Sequence, residues 1–308
     1  MLNKKSQIFT IIAIVLVLLI FLSYRISTHF LNREPIRMRI ETMEKFMFSL
    51  EKDLERQMYI LGFRTIFLAE RYITQKGEYI DNMTELINET FFEGTVYGED
   101  KSEILNGVRY QDIQDTISNV AAKINVNITF DNVTVSLTQE DPWHVAVILE
   151  GNLTLEDKTG VASWKKRERI KALVEVENFE DPLFIINTNA RISRKINRTI
   201  YKPFVSGSDV SNLSNHLNAG LYTNTSLAPS FLDRLEGNME ADENGIESFV
   251  NPIELSNQGI PIEDKTLVDY LYFSSQNPQA HHVTGMPSWF KIDEGHVDIY
   301  GVSGLIYD

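Results

Sequence analysis

Hydrophobic positions change their rhythm three times along the 308 residues of the chain. From Ile8 to Tyr24 seventeen residues pass without a charge. As a helix they are about 26 Å long at roughly 1.5 Å per residue, near the lower limit for crossing a bilayer. Ile26–Leu31 is apolar enough to extend the span to residue 31, with Arg25 reaching the interface along its aliphatic stem. A secretory apolar region is shorter, about 7–15 residues, and is followed by a small-x-small cleavage site. The run here ends in "FLSYRIS", which offers none. The pattern therefore predicts an uncleaved transmembrane helix over 8–24, preceded by a stub at 1–7.

The second rhythm is helical. Pro35 in "LNREP" predicts a kink or break, because proline removes a helix-interior donor. From 35 to 76 a long helix or stalk is expected, closed by the glycine of "KG" at 76–77. Ile40, Met47, Leu54, Leu61 and Leu68 recur every seven residues, with Met43 and Leu50 filling the stripe and Glu44, Glu51, Lys52 and Glu55 on the opposite face. Such a stripe serves either self-association or packing within the chain, and Gln57 and Arg64 interrupt it. Beyond Met58 the apolar residues spread around the helix. The membrane-proximal half is therefore expected to stand clear and the distal half to join a core.

The third rhythm alternates. After short helices at 79–92 and 108–123, Ile124, Val126, Ile128 and Phe130 share one phase, and Val133, Val135 and Leu137 the other. This parity change predicts a β-bulge near Asp131. Further strands follow at 143–149 and 169–177, so 77–205 reads as helices with an antiparallel meander sheet. "DPLFIINT" (181–188) and 192–204 read as further strands, or as an edge strand with its hairpin partner. Residues 206–308 form a mixed region with helices near 209–218 and 228–237, a strand at 246–255 and a helix or strand at 265–274; "EGNMEADENG" (236–245) is a loop. The fold class expected is α+β, with the transmembrane helix continuing into the long amphipathic helix, that helix packed on the meander sheet, and an irregular α/β C-terminal region.

Charge and composition narrow the setting. After Tyr24 there are 27 Lys and Arg against 43 Asp and Glu, a formal −16. Such a surface repels phosphate backbones, so no nucleic-acid partner is expected. With no cysteine, disulfides and thiolate chemistry are excluded. Flanking charges leave the orientation open: Lys4 and Lys5 precede the span, while Arg25, Arg33, Arg37 and Arg39 follow it. Eight N-x-Ser/Thr sequons lie beyond the span, at Asn82, Asn88, Asn127, Asn132, Asn152, Asn197, Asn212 and Asn224. About three are expected by chance for this acceptor pattern. Asn127, Asn132 and Asn152 fall on the polar phase of their strands. The expectation is a single-pass cell-membrane glycoprotein with a cytoplasmic N-terminus and an extracellular bulk.

Catalytic signatures are missing: the sequence has no HExxH, no GxSxG elbow, no P-loop and no GxGxxG after a strand. His281, His282 and His296, with Asp293 and Asp298 nearby, are weak metal-ligand candidates, since neighbouring histidines on one strand point to opposite faces. Aromatic groups at 91–92, 269–273 and 288–290 read as core, or as a carbohydrate or peptide platform. No catalytic residue and no cofactor is predicted.

The Lys4-Lys5-Ser6-Gln7 stretch before the apolar run resembles the class III signals of archaeal type IV pilins and archaellins. That resemblance implies processing between Ser6 and Gln7, with Ser6 where Gly or Ala is usual and Ile11 where bacterial-type pilins carry glutamate. The segments "DLERQMYILGFR" (53–64), "FFEGTVYG" (91–98), "DPWHVAV" (141–147), "DPLFIINT" (181–188), "GIESFV" (245–250) and "DYLYF" (269–273) are similar, in order, to a group of archaeal membrane-anchored surface proteins. The likeness implies an extracytoplasmic domain behind one span and assigns it no activity. A structural or interaction role follows, as a pilin-like, minor-pilin or cell-envelope component meeting the lipid bilayer, further copies or envelope proteins through the 8–76 helix. A ligand-binding or sensory ectodomain working with a membrane partner is the alternative, and a metal-dependent enzyme using the C-terminal histidines the third.

Overall fold

The computed structural model describes residues 4–160 and 162–308, except for the side chains of 4–7 and 26–35. The side chains at the proposed processing site, Ser6 and Gln7, and the first three residues of the expected cytoplasmic stub lie outside the described part. In chain order the elements are α1 (Lys4–Lys76), α2 (Met83–Phe92), β1 (Thr95–Val96), β2 (Glu99–Asp100), α3 (Ser102–Leu105) and α4 (Tyr110–Lys123). The strands β3 (Val126–Asp141), β4 (His144–Asp157) and β5 (Ser163–Glu175) come next. Beyond them lie α5 (Pro182–Asn187), α6 (Ser211–Ala219), β6 (Thr223–Asn224), α7 (Phe231–Glu236), β7 (Ile246–Glu247), α8 (Pro252–Asn257), α9 (Asp269–Tyr272), β8 (Ala280–Val283), β9 (Lys291–Asp293) and β10 (Ile306–Tyr307). The class is α+β, with an N-terminal apolar helix and small antiparallel sheets.

Helix α1 is continuous over 73 residues, so the break expected at Pro35 is absent. Pro35 removes one backbone donor, and the helix runs on across it. Its residues Ile8 to Arg25 form the one helical stretch among the described residues long and apolar enough to cross a membrane, and none of it is buried.

Two compact units are separable. The first comprises Met1–Asp53, Asp115–Asp131 and Asn152–Arg167. In it, Met43, Met47 and Leu50 of α1 are buried, as are Ile117, Val126, Phe130 and Leu153. Arg39 donates from Nε and Nη2 to Asp157 Oδ1 at 2.9 and 2.6 Å and from Nη2 to the Asn125 carbonyl at 3.0 Å. Lys166 Nζ lies 2.8 Å from Glu51 Oε1. The expectation that the membrane-proximal half of the long helix stands clear is therefore corrected. From Arg39 onward α1 has intrachain partners, because the ends of the long strands supply both an apolar face and a carboxylate.

The second unit comprises Leu54–Gln114, Asn132–Gly151 and Glu168–Asp308. The heptad residues Leu54, Leu61 and Leu68 are all buried in it, each contributing on the order of 1.5–3 kcal/mol by leaving water. At Gly62 α1 lies directly against side chains of β4 and β5. A Cβ there would stand 2.3 Å from Val147 Cγ2 and 2.9 Å from Val174 Cγ2, a space only hydrogen fits. β3, β4 and β5 follow one another in a three-stranded sheet. On β3 the buried positions are Val126 and Phe130, then Val135 and Leu137. Their parity changes across Asn132, whose φ is +53°, the conformation an inserted bulge residue takes.

Two strand expectations are overturned by helix caps. "DPLFIINT" forms α5: Asp181 accepts from Leu183 N at 2.9 Å, and Pro182 occupies the first turn. The strand expected over 246–255 ends at Glu247, and Asn251 with Pro252 opens α8 in the same way, accepting from Ile253 N at 3.0 Å. An Asx side chain satisfies an orphan N–H while proline lacks one, so the pair favours a helix start over an extended strand. Over 192–204 only isolated bridges form, such as Glu180 with Lys195. The core cluster of the second unit takes Leu183, Phe184, Ile192 and Phe204 together with Leu213, Phe249, Phe290 and Val302.

Candidate functional site

Three places in the second unit concentrate chemistry. The first is a buried ionic cluster. Arg234 is carried on the inner face of α7 between Phe231 and Leu235, and its side chain is wholly covered. The capping box of Ser230 and Asp233 fixes the start of that helix and so the direction in which Arg234 points. Its Nη1 lies 2.6 Å from Asp181 Oδ2 and 2.9 Å from Asp269 Oδ2, and Nη2 donates to the Ile246 carbonyl. Tyr222 donates to Asp181 Oδ2 at 2.7 Å, and Ser248 N to Asp269 Oδ2 at 3.0 Å. Burial alone would lower the guanidinium pKa, but the two aspartates outweigh it, raise it and hold the group charged. Burial pushes Asp269 up to about 6 against the pull of Arg234, with Asp181 and Glu247 adding to the rise.

His296 continues the cluster. Its Nδ1 donates to Asp293 Oδ1 at 2.7 Å; Nε2 sits 3.1 Å from the Tyr270 hydroxyl and 3.1 Å from Glu247 Oε2. Burial would depress the imidazole, yet the hydrogen bond to Asp293 and the Glu247 carboxylate prevail and lift its pKa to about 10. It is thus an imidazolium across the physiological range. The group whose folded pKa is raised stabilises fully below its ordinary value of 6.5, and that stability is lost as pH climbs through about 10.

The second place is a groove of about 480 Å³ bordered by α8, the 262–267 loop, β8 and β9. Trp289 and Ile262 line it, with His282 and Ser256. Lys265 Nζ lies 2.8 Å from Glu263 Oε2, and Lys291 Nζ 2.6 Å from Asp264 Oδ1.

The third is a groove of about 470 Å³ beside α1, lined by Phe63, Phe67, Phe179, Arg71, Glu177 and Lys195 around Glu70. Glu70 Oε1 accepts from Glu180 N at 2.6 Å. Burial pushes its carboxyl up to about 8, only partly offset by that hydrogen bond.

The three candidate histidines do not converge. His281 Nδ1 faces Asp308 Oδ1 at 2.8 Å, His282 stacks on Tyr307 with centroids 5.5 Å apart, and His296 is enclosed by its carboxylates. Among the described residues no group of three or more His, Cys, Asp or Glu has a metal-binding arrangement. Of the aromatic groups, Phe91, Tyr270, Leu271, Tyr272 and Phe290 are core, while Trp289 is half-buried against the groove.

Six sequon asparagines are exposed: Asn82, Asn127, Asn132, Asn152, Asn197 and Asn224. Asn82 uses only Oδ1, as the cap of α2 accepting from Glu85 N at 2.9 Å. The remaining two are half-buried. Asn88 Nδ2 donates to the Thr84 and Val135 carbonyls at 2.7 and 3.1 Å, and Asn212 Nδ2 to the Pro203 carbonyl at 2.9 Å.

Sequence reasoning missed Arg234, Asp181, Asp269 and Glu70, and took Trp289 only as part of an aromatic group that reads as core or as a carbohydrate or peptide platform. For Arg234 a signal exists: it stands three residues after Phe231 and next to Leu235, on the apolar side of a short helix. For Glu70 there is none, since its burial follows from what α1 packs against. Comparison with protein families, with characterised proteins and with solved structures finds no match.

Proposed function

We propose that the chain is a single-pass membrane-anchored surface protein, with its N-terminus in the cytoplasm and its folded bulk outside. Its role is structural or interactive, as a pilin-like or other cell-envelope component. One observation carries this reading: the uncharged stretch of α1 is uncovered along its whole length, while the rest of the chain builds its own core. Uncovered apolar surface of that length is stable only in a nonpolar surrounding, whether lipid or the helices of neighbouring subunits. The six exposed sequons support an N-glycosylated exterior. Asn88 and Asn212 are half-buried and spend Nδ2 on backbone carbonyls, Asn88 on those of Thr84 and Val135 and Asn212 on that of Pro203, and both are expected to carry less glycan.

The heptad stripe from Met43 to Leu68 is buried within the chain, so contacts with other copies are assigned to the apolar segment rather than to that stripe. The meander of β3, β4 and β5 over the distal half of α1 completes the architecture we assign to the ectodomain. A ligand-binding role for the same ectodomain is favoured by the groove at Trp289.

The test is topological. Membranes from expressing cells are extracted at alkaline pH and intact cells treated with protease. The full chain is expected to stay in the membrane pellet and to lose its folded domain to external protease. Release by alkali, or protection from protease in intact cells, overturns the reading. N-terminal sequencing separates its two forms: a filament subunit processed between Ser6 and Gln7 begins at Gln7, and a retained anchor begins at Met1 or Leu2.

A further inference from the structure

We infer that the groove at Trp289 is a binding site for a neutral saccharide. The inference adds a ligand class to the surface role proposed above but stands on the groove alone, since all its residues belong to the second unit.

Its volume of about 480 Å³ lies within the range of small-ligand sites, about 300–1,000 Å³. The decisive property is charge. Each lysine that faces the groove is already matched, Lys265 to Glu263 at 2.8 Å and Lys291 to Asp264 at 2.6 Å. Lys265 also donates to the Ser274 carbonyl at 3.0 Å. An anion would have to displace a carboxylate and approach a chain of formal charge −14; a cation would have to displace a lysine. The paired groups therefore reject ions and leave neutral hydrogen-bonding chemistry.

That chemistry is present. His282 Nδ1 is buried and has no hydrogen-bond partner. The side chains of Ser256, Asn257 and Ser288 line the same groove and make no hydrogen bond to another described residue. A buried polar atom without a partner is left desolvated and unpaired, and a ligand hydroxyl would satisfy it. Beside these groups the Trp289 indole offers a flat apolar surface with one N–H. A pyranose presents the same combination in complement, an apolar C–H face and a rim of hydroxyls.

An extended peptide fits less well. It would add to a strand edge, and β9, the edge strand of the β10-β8-β9 sheet, already gives its Lys291 carbonyl to Leu267 N at 2.9 Å. The edge is covered by the chain itself, so recognition falls to side chains.

The experiment uses the full chain in lipid nanodiscs, produced in a host without N-glycosylation, and titrates neutral trisaccharides of glucose, mannose and N-acetylglucosamine by calorimetry. Saturable binding of at least one is expected, weakened tenfold or more by Trp289→Ala and unchanged by Trp164→Phe, a change on β5 outside the residues that line the groove. Asn257→Ala, at an exposed position, keeps the test independent of any folding defect in the tryptophan variant, and is expected to weaken binding several-fold at an unchanged melting temperature. Absence of binding up to 10-fold above the protein's highest workable concentration overturns the inference. So does binding indifferent to both variants, or binding of sulfated or phosphorylated sugars alone. A second arm identifies the source. Glycosylated copies retained on immobilised unglycosylated protein, and released by Trp289→Ala, place the sugar on a neighbouring copy. Retention of the free trisaccharide alone places it on the surrounding envelope. A chain released by alkali in the topology test is titrated in the same way without the nanodisc, so the two proposals fail separately.

Discussion

Residues 8–25 and the region from Asp181 to Tyr300 each invert the usual distribution of side chains. The first leaves a continuous apolar surface uncovered. The second places Arg234, Asp181, Asp269, Glu247, Asp293 and His296 beneath the surface. The inversions are resolved differently. A buried ion can take its partner from the same chain, and here each positive group touches two carboxylates. An apolar helix without a facing core has no such internal remedy, and its stability depends on what surrounds the protein. Buried charge is therefore information about packing, whereas uncovered apolar surface is information about environment.

The largest expected effect tests the internal remedy. Arg234→Met leaves Asp181 and Asp269 buried side by side, and should cost about 3–5 kcal/mol in urea unfolding of the full chain in detergent. Adding Asp181→Asn and Asp269→Asn should restore most of that loss, because the uncompensated charge is gone. A single variant as stable as the parent would mean that the cluster is open to water.

Next comes the external one. Leu16→Arg places a charge at the middle of the apolar segment, at a cost of about 2.5–3.5 kcal/mol for membrane insertion. The protein should then shift from the alkaline pellet to the supernatant. If it stays, the comparison breaks, for the segment would not be lipid-facing.

The smallest effect concerns Glu70. Its folded pKa of about 8 lies above the ordinary 4.5, so the unfolded chain gives up this proton first. Stability is therefore fully present below about 4.5 and falls as pH rises toward 8. Glu70→Gln removes that dependence while keeping an oxygen to accept from Glu180 N. The variant should match the parent at pH 4 and exceed it by about 1–2 kcal/mol at pH 8. Equal melting curves at both pH values would show Glu70 to be solvated.

How far the fold was legible varies with the distance over which each signal acts. The apolar segment, the heptad stripe and the parity change near Asn132 are written in neighbouring residues, and each has a counterpart in the structure. Asp181-Pro182 and Asn251-Pro252 are equally local signals, and the strand expected over each of them does not form, because the caps start helices there. The candidate site was less legible. Trp289 stood in a noted aromatic group, but its placement beside Ser256 and His282 joins residues from α8, β8 and the turn before β9. Nothing in their spacing announces the groove.

What the sequence by itself determined was everything set by a run of neighbours: an uncharged helix long enough for a bilayer, an acidic body, no thiol chemistry, and where the long helix is apolar. These follow from side-chain solvation and the periods of helix and strand, which need no knowledge of distant residues. The tertiary structure alone decided which charges are buried, which of the eight asparagines keep their amides free, and which polar atoms line the groove at Trp289. Each depends on a partner far along the chain, and burial or pairing is a property of the pair.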